Sequence, residues 1–519
     1  MKKIFLILAV GVAATLSSCI KDAEVTAYMT PDSKNEIAAE DPGKVFDAAV
    51  AGIHNNIQSY VYSNLQHNYF GQKSFDYLTT LMGNDMCMTG QYGMSLYHHI
   101  LDYWQKNYAP TANRWREYYQ HIADANTLLG SIADDETNPE VLKYKAYAQL
   151  TRGYAYLHLS YLYGLPYYMG AEGTAWGMNT TYSGANADAP CVPIVTDKIT
   201  GDQPRATVGE VYELILSDLT SAYDYFAANG MLYTPAHTDF DGLVAANYLM
   251  RVHMLMHNWT EAEKYAKVIV DNAPLASAAQ LLQGFSDINL PNVLYGSDIT
   301  ADNSTIYMSF FSQMDMFGQG YAAIGVARVA HNYLTAAISD TDIRLDWFWD
   351  RRNFAKLVEE FGGQPSNLQY YGQVIKFIGA GRSNPYGNWH LGDYIYLRSE
   401  EAHFCLAEIY AHQNKLDDAL AALSKVMVIR DAQYAYAGAK NKADVISEIN
   451  LQKRIEFFGE GLEYLDNRRL NIPVDRTMEG TNHIAWAQGY WPQEHPCFLY
   501  QIPQSEIDNN KMIDDADNN

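Results

Sequence analysis

The densest run of groups able to do chemistry is Arg454-Ile455-Glu456-Phe457-Phe458-Gly459-Glu460-Gly461-Leu462-Glu463-Tyr464-Leu465-Asp466-Asn467-Arg468-Arg469-Leu470. Its glycines end one helix, and its acids open a second at the positive end of the helix dipole, with arginines at the negative end. Glu456 and Asp466 are candidates to pair with Arg454, Arg468 or Arg469. That pattern favours an ion-pair network between helices over a catalytic array. Signatures of covalent or phosphate chemistry are missing: there is no Gly-x-Ser-x-Gly elbow, His-Glu-x-x-His pair or Walker loop, and Gly318-Gln319-Gly320 lacks the third glycine of a dinucleotide fingerprint. A glycoside hydrolase pair among the 60 Asp and Glu residues stays open, because folded distance and not sequence spacing defines it. His98 and His99, adjacent on a helix, do not face one metal ion.

Cysteine chemistry points outward from the cell. Lys2 and Lys3 precede an apolar run, Ile4 to Leu16, of 13 residues, short of the roughly 18 to 20 that span a bilayer. It reads as a secretory signal over residues 1–18. Leu16-Ser17-Ser18-Cys19 resembles a bacterial lipobox, which predicts cleavage before Cys19 and lipidation of its thiol. Several acyl chains make such an anchor effectively permanent. Ile20-Lys21-Asp22-Ala23-Glu24 resembles a surface-export signal, and residues 19–42 read as a lipidated start and tether. Cys87, Cys191, Cys405 and Cys497 lie too far apart for a zinc site, and their disulfide state is left open. Cys405 sits in an apolar helical pattern and reads as a small buried hydrophobe.

The elements that must position any site follow from composition and period. In 519 residues, 36 Lys and Arg stand against 60 Asp and Glu, a net charge of −24, which argues against nucleic acid as a partner. A chain that is 48% hydrophobic and 18% charged buries a large core. Trp115, Tyr119, Ile122 and Leu129 keep helical spacing, as do Tyr147, Leu150, Tyr154, Leu157 and Tyr161, a helix that Gly164-Leu165-Pro166 stops. Trp104 and Trp115 are assigned to helical core. Thr207 and Glu210 make a capping box, and Thr260 with Glu263 a second. Two segments have the small-residue pattern of tetratricopeptide hairpins, one around Ala262 with Pro274 closing it, the other from Ala402 to Val426 through Ala419. The fold class is therefore mostly α, with helical hairpins over about 43–165, 207–274 and 393–470 and long irregular insertions. The insertion at 275–392, rich in Gly, Asn, Ser and aromatic residues, is assigned the ligand surface. Gly170 to Pro204 is a long connection of functional or docking character, and 507–519 a frayed tail.

The Arg454 to Leu470 constellation is similar to the signature of SusD/RagB-like nutrient-binding lipoproteins, departing from it at Leu462 and Glu463. Further matches run in order: Arg152 to Leu157, Tyr163 to Pro166, Val192 to Val195, Arg205 to Val208, Leu216 to Leu219, Tyr394 to Glu401 and Leu499 to Ile507. The resemblance implies a helical-repeat domain over 43–519 and a lipid-anchored, surface-exposed outer-membrane protein. It also implies a non-enzyme that binds oligosaccharides and delivers them to a SusC-like TonB-dependent transporter. Peptide capture within the same family, for which the Met314 to Phe317 patch would serve, and a lipid-anchored tetratricopeptide scaffold for protein partners are the alternatives. No cofactor is implied; a structural calcium ion among loop acids stays open without any EF-hand spacing.

Sugar rings present apolar faces edged by hydroxyls, so a glycan site needs exposed aromatic planes flanked by amides or acids, each ring contact giving about 0.5–1.5 kcal/mol. With 41 Tyr against 18 Phe, the chain favours rings with a polar end at wet surfaces. Candidate platforms are Tyr92, Tyr295, Phe317, Tyr321, Trp347, Tyr386 and Trp389, with Gln91, Asn292 and Asn384 as polar neighbours.

Overall fold

The computed structural model describes residues 42–59, 67–90, 95–102, 104–169, 173–175, 178–180 and 184–518. Two compact units are distinguished, Met1–Ala48 and Ala49–Asn519. Of the first, the described part is the opening of helix α1 (Pro42–Gln58), whose remainder begins the second unit. Cys19, the leader and the tether lie outside the described residues.

The second unit is built on a run of helices: α2 (Gln72–Leu81), α3 (Ala109–Gly130), α4 (Pro139–Tyr163), α5 (Val208–Ala228), α6 (Gly242–Leu255), α7 (Trp259–Asn272), α8 (Glu400–His412), α9 (Leu416–Arg430), α10 (Lys442–Glu456) and α11 (Leu462–Arg469). From α3 to α7 each helix packs on the next; α7 then packs on α8, and α8 on both α9 and α10, so the repeats stack across the insertion between them. Local chemistry sets the ends. Thr207 and Glu210 form the expected reciprocal capping box of α5, and Pro139 opens α4 behind the Asn138 cap. The start of α7 differs from expectation: Asn258 is its cap, accepting from Glu261 N, because an amide oxygen two residues upstream reaches the first turn. Ala407, Ala411, Ala419 and Ala422 let α8 and α9 approach closely while Phe404, Leu423, Val426 and Met427 fill the groove.

Strands supply the rest: β1 (Met86–Met88), β2 (Val293–Ser297), β3 (Arg328–Ala330), β4 (Phe348–Trp349), β5 (Gln373–Val374) and β6 (Tyr394–Arg398). The order β1-β3-β5-β4 makes an antiparallel four-stranded sheet, three strands of it from the insertion and β1 from ahead of it in the chain, and β2 pairs with β6. Around these strands the insertion builds its own core, in which Trp347, Phe348, Val374, Phe377 and Tyr394 pack with Leu78 and Leu81 of α2.

Two further expectations are corrected. Trp104 lies outside any helix and is half-buried, whereas Trp115 is buried on α3. The tail is docked: Asn518 Nδ2 donates to Ile502 O at 3.0 Å, and Arg205 donates to Asp517 O. Asp and Asn side chains there find backbone partners in place of water.

The signature run is an ion-pair network in which Asp466 pairs with Arg469 as expected and Glu456 takes partners from outside the run. Glu456, fully buried, accepts from Arg398 Nη1 and Arg430 Nη2, both at 2.7 Å, and not from Arg454. Arg454 pairs with Asp85, Asp466 pairs with Arg469 and Lys453, and Arg468 donates to Gln493 O. Burial raises the Glu456 carboxyl, but Arg430 and Arg398 outweigh it and hold the group well below the usual range. The four described cysteines are free and buried, and burial pushes the Cys405 thiol up to about 12.

Candidate functional site

Two loops of the insertion, 303–326 and 379–392, converge on one aromatic band. Tyr386 is 61% exposed and meets the buried ring of Phe317 edge-on at 5.6 Å. Beside Phe317, a Cβ on Gly318 would stand 2.8 Å from the Trp389 ring, so only glycine allows this approach. Trp389 in turn lies 6.1 Å from the ring of Tyr307, which is 46% exposed. Gly318 against Trp389 thus joins two aromatic pairs, Tyr386–Phe317 and Trp389–Tyr307, into one band with an open ring at each end and a packed ring in each pair. Exposed Gln319, Asn384 and Asn388 supply amides from the same loops.

The two loops are pinned by one carboxylate. Asp315 Oδ1 accepts from Phe317 N at 2.8 Å and Gly318 N at 3.2 Å, while Oδ2 accepts from Gly379 N at 2.9 Å. Burial pushes the Asp315 carboxyl up to about 7 against these three donors, which favour the ionised form. Ser304 Oγ donates to His390 O at 2.8 Å, a second tie between the loops. Ile306 holds φ at 51°, a region that β-branched residues rarely occupy, directly before Tyr307. Half-buried Tyr321 has its hydroxyl 2.6 Å from His67 Nδ1, and Gln313 Nε2 donates to His67 O.

Of the sequence candidates, Phe317, Tyr386 and Trp389 are brought together. Phe317 and Trp389 support the band from within, and Tyr386 alone of the three presents a ring. Gln91 and Tyr92 lie outside the described residues. Trp347 is corrected: it is 1% exposed, its Nε1 donates to Leu281 O at 3.0 Å, and the Lys376 ammonium sits 4.7 Å over its ring. Tyr295 is also core, its hydroxyl 2.9 Å from His54 Nδ1 and its ring 5.0 Å from Phe240. Asn292 is buried and donates to Glu400 Oε2. Met314 and Met316 are buried with Phe317, so no apolar patch is open there. Sequence reasoning missed Tyr307, whose signal is an aromatic residue two positions after the polar stretch Asp302-Asn303-Ser304-Thr305.

Among the described residues no group of three or more His, Cys, Asp or Glu is placed to hold a metal ion, and no helix is long and apolar enough to cross a membrane. His98 and His99 are both buried, and His99 Nε2 lies 3.1 Å from His483 Nδ1.

Residues 19–252 match the SusD-like family described as "Starch-binding associating with outer membrane". Among solved structures, a SusD-like carbohydrate binding protein from Bacteroides vulgatus is similar at 22% identity and TM-score 0.73, covering 92% of this chain and 98% of that one. A SusD superfamily protein from Bacteroides thetaiotaomicron aligns at 16% identity and TM-score 0.70, over 91% and 98% of the two chains. Surface glycan-binding protein A from Bacteroides uniformis aligns at 15% identity and TM-score 0.61, again over 91% and 98%. No curated protein matches the sequence.

Proposed function

We propose that this chain, a SusD/RagB-like protein, captures oligosaccharides at the aromatic band. The observation that carries the reading is the band itself: two open tyrosine rings backed by packed aromatics, on loops tied together before any ligand arrives. Apolar sugar faces would lie on Tyr307 and Tyr386, and hydroxyls would bond Gln319, Asn384 and Asn388. Two ring contacts at about 0.5–1.5 kcal/mol each give weak, reversible capture, which suits a protein that releases its cargo intact.

The lipobox at Cys19 supports attachment to the outer membrane through a lipid, and the family description supports that location. Delivery to a SusC-like TonB-dependent transporter follows as the fate of the cargo, with the energy for import supplied on the transporter side. Peptide capture gains nothing from the buried Met314 to Phe317 segment. The test is an array of purified glycans, maltooligosaccharides first, beside a peptide library, probed with the full-length chain in detergent. Glycan binding without cleavage is expected; binding of peptides alone, or hydrolysis of the bound glycan, overturns the reading.

A further inference from the structure

A cleft of about 490 Å³ shares no residue with the aromatic band. One wall is the α3 face that carries Trp115 and Tyr119 one turn apart, with ring centroids 4.7 Å apart. Both rings are held in place: Trp115 Nε1 donates to Glu506 Oε2 at 3.2 Å, and the Tyr119 hydroxyl donates to Pro193 O at 2.7 Å. The remaining walls are the loop 193–203 and the segment 505–510, joined where Asn510 Nδ2 donates to Gln203 O at 2.9 Å. Three segments distant in sequence are thus locked by their own bonds, as in pre-formed small-molecule sites of about 300–1,000 Å³.

The lining chemistry selects the ligand. Gln120, Gln203 and Asn509 spend only their amide nitrogens on the protein, on Asp124, Thr200 O and Ser505 O. Their side-chain oxygens accept no bond from the described residues and are placed to take hydroxyl donors. Glu506 is already engaged by Trp115 and Asn510, so its charge is not offered as a lone site for a cation. The other charged lining residues, Arg116 and Asp202, are exposed and opposite in sign, so aromatic edges beside uncommitted amide oxygens fit a molecule with C–H faces and many hydroxyls and no net charge.

We propose that this cleft is a second binding site, for a short neutral saccharide, separate from the Tyr307–Tyr386 band. The ligand class rests on the carbohydrate reading above; the location does not. The test is saturation-transfer NMR on the full-length chain with glucose, galactose, mannose and xylose at saturating concentration. Wild type is compared with Tyr307→Ala/Tyr386→Ala, with Gln203→Ala/Asn509→Ala, and with Gln120→Ala as an independent cleft variant. The expected result is a signal for at least one sugar that survives in the band variant and falls at least twofold in both cleft variants, with melting temperatures unchanged. If the band variant keeps the full wild-type signal while the cleft variants lose it, the cleft stands and the band reading fails. Cleft variants that match wild type, a signal abolished by the band variant, or no signal from any sugar overturns the proposal.

Discussion

Glu456→Gln is the sharpest probe of the scaffold. Glu456 Oε1 accepts from Arg398 and Arg430 at 2.7 Å, and Oε2 accepts from Arg430 Nε at 3.0 Å with Arg344 Nη1 at 3.6 Å. Around it, Arg344, Arg398, Arg430 and Lys376 are matched by Asp342, Glu400, Glu456 and Glu460, all buried or nearly so. The amide keeps the shape, removes one negative charge and points a donor at guanidinium groups, leaving one buried positive charge uncompensated. Breaking a buried pair in this way costs about 3–5 kcal/mol. For a cooperative unit the size of Ala49–Asn519, the unfolding entropy is about 1 kcal/mol/K, so the melting temperature should drop by about 3–5 °C. Salt should not rescue it, because buried pairs are screened little. The control is Asp417→Asn, which removes an exposed partner of Lys440 and should shift melting by less than about 1 °C. Differential scanning calorimetry reads both. A Glu456→Gln drop no larger than the control's would refute the network as the anchor between α10, β6 and α9.

Trp347→Ala should destabilise by about 3–5 kcal/mol, since it empties a packed site and removes the ring beneath the Lys376 ammonium, and thermal melting checks this; an unshifted melt would return Trp347 to the surface. Asp315 gives a pH signature. Its carboxyl is near 7 folded against 3.8 in the reference state, so between those values the native state holds a proton that the unfolded chain releases, and stability falls as pH rises. The stability of wild type relative to Asp315→Asn should therefore decline from pH 5 to pH 8 in parallel melts; a difference that does not move with pH contradicts this account of the carboxylate.

The helical scaffold is legible in sequence because its signals are local: Thr207 lies three residues from Glu210, and the Tyr147 to Tyr161 spacing marks α4 as a helix, although from Leu150 to Tyr163 it is buried all round rather than on one face. Ion-pair partners are not, since Glu456 finds Arg398 on β6, 58 residues upstream, and Arg430 on α9, 26 upstream, while Arg454, two residues away, serves Asp85. Trp347 and Tyr295 look like loop aromatics because the surrounding glycines and asparagines suggest exposure, yet Trp347 packs into the core around the sheet and Tyr295, on β2, packs against Phe240 and His54 from elsewhere in the chain. The aromatic band needs Gly318 and Gly379 to let two loops meet, a tertiary fact with no period to betray it. Tyr386 was visible as a ring in the turn Ser383-Asn384-Pro385-Tyr386-Gly387, where there is little to cover it.

Isothermal titration of the tightest-binding glycan against wild type, Tyr307→Ala, Tyr386→Ala and the double variant tests the central claim most directly. Each truncation should weaken binding by about 2- to 10-fold, the double variant by roughly the product, and all should melt with wild type, because both rings are open to solvent. Equal affinity across the four proteins at equal stability would contradict the assignment of this band as the place where the ligand is held.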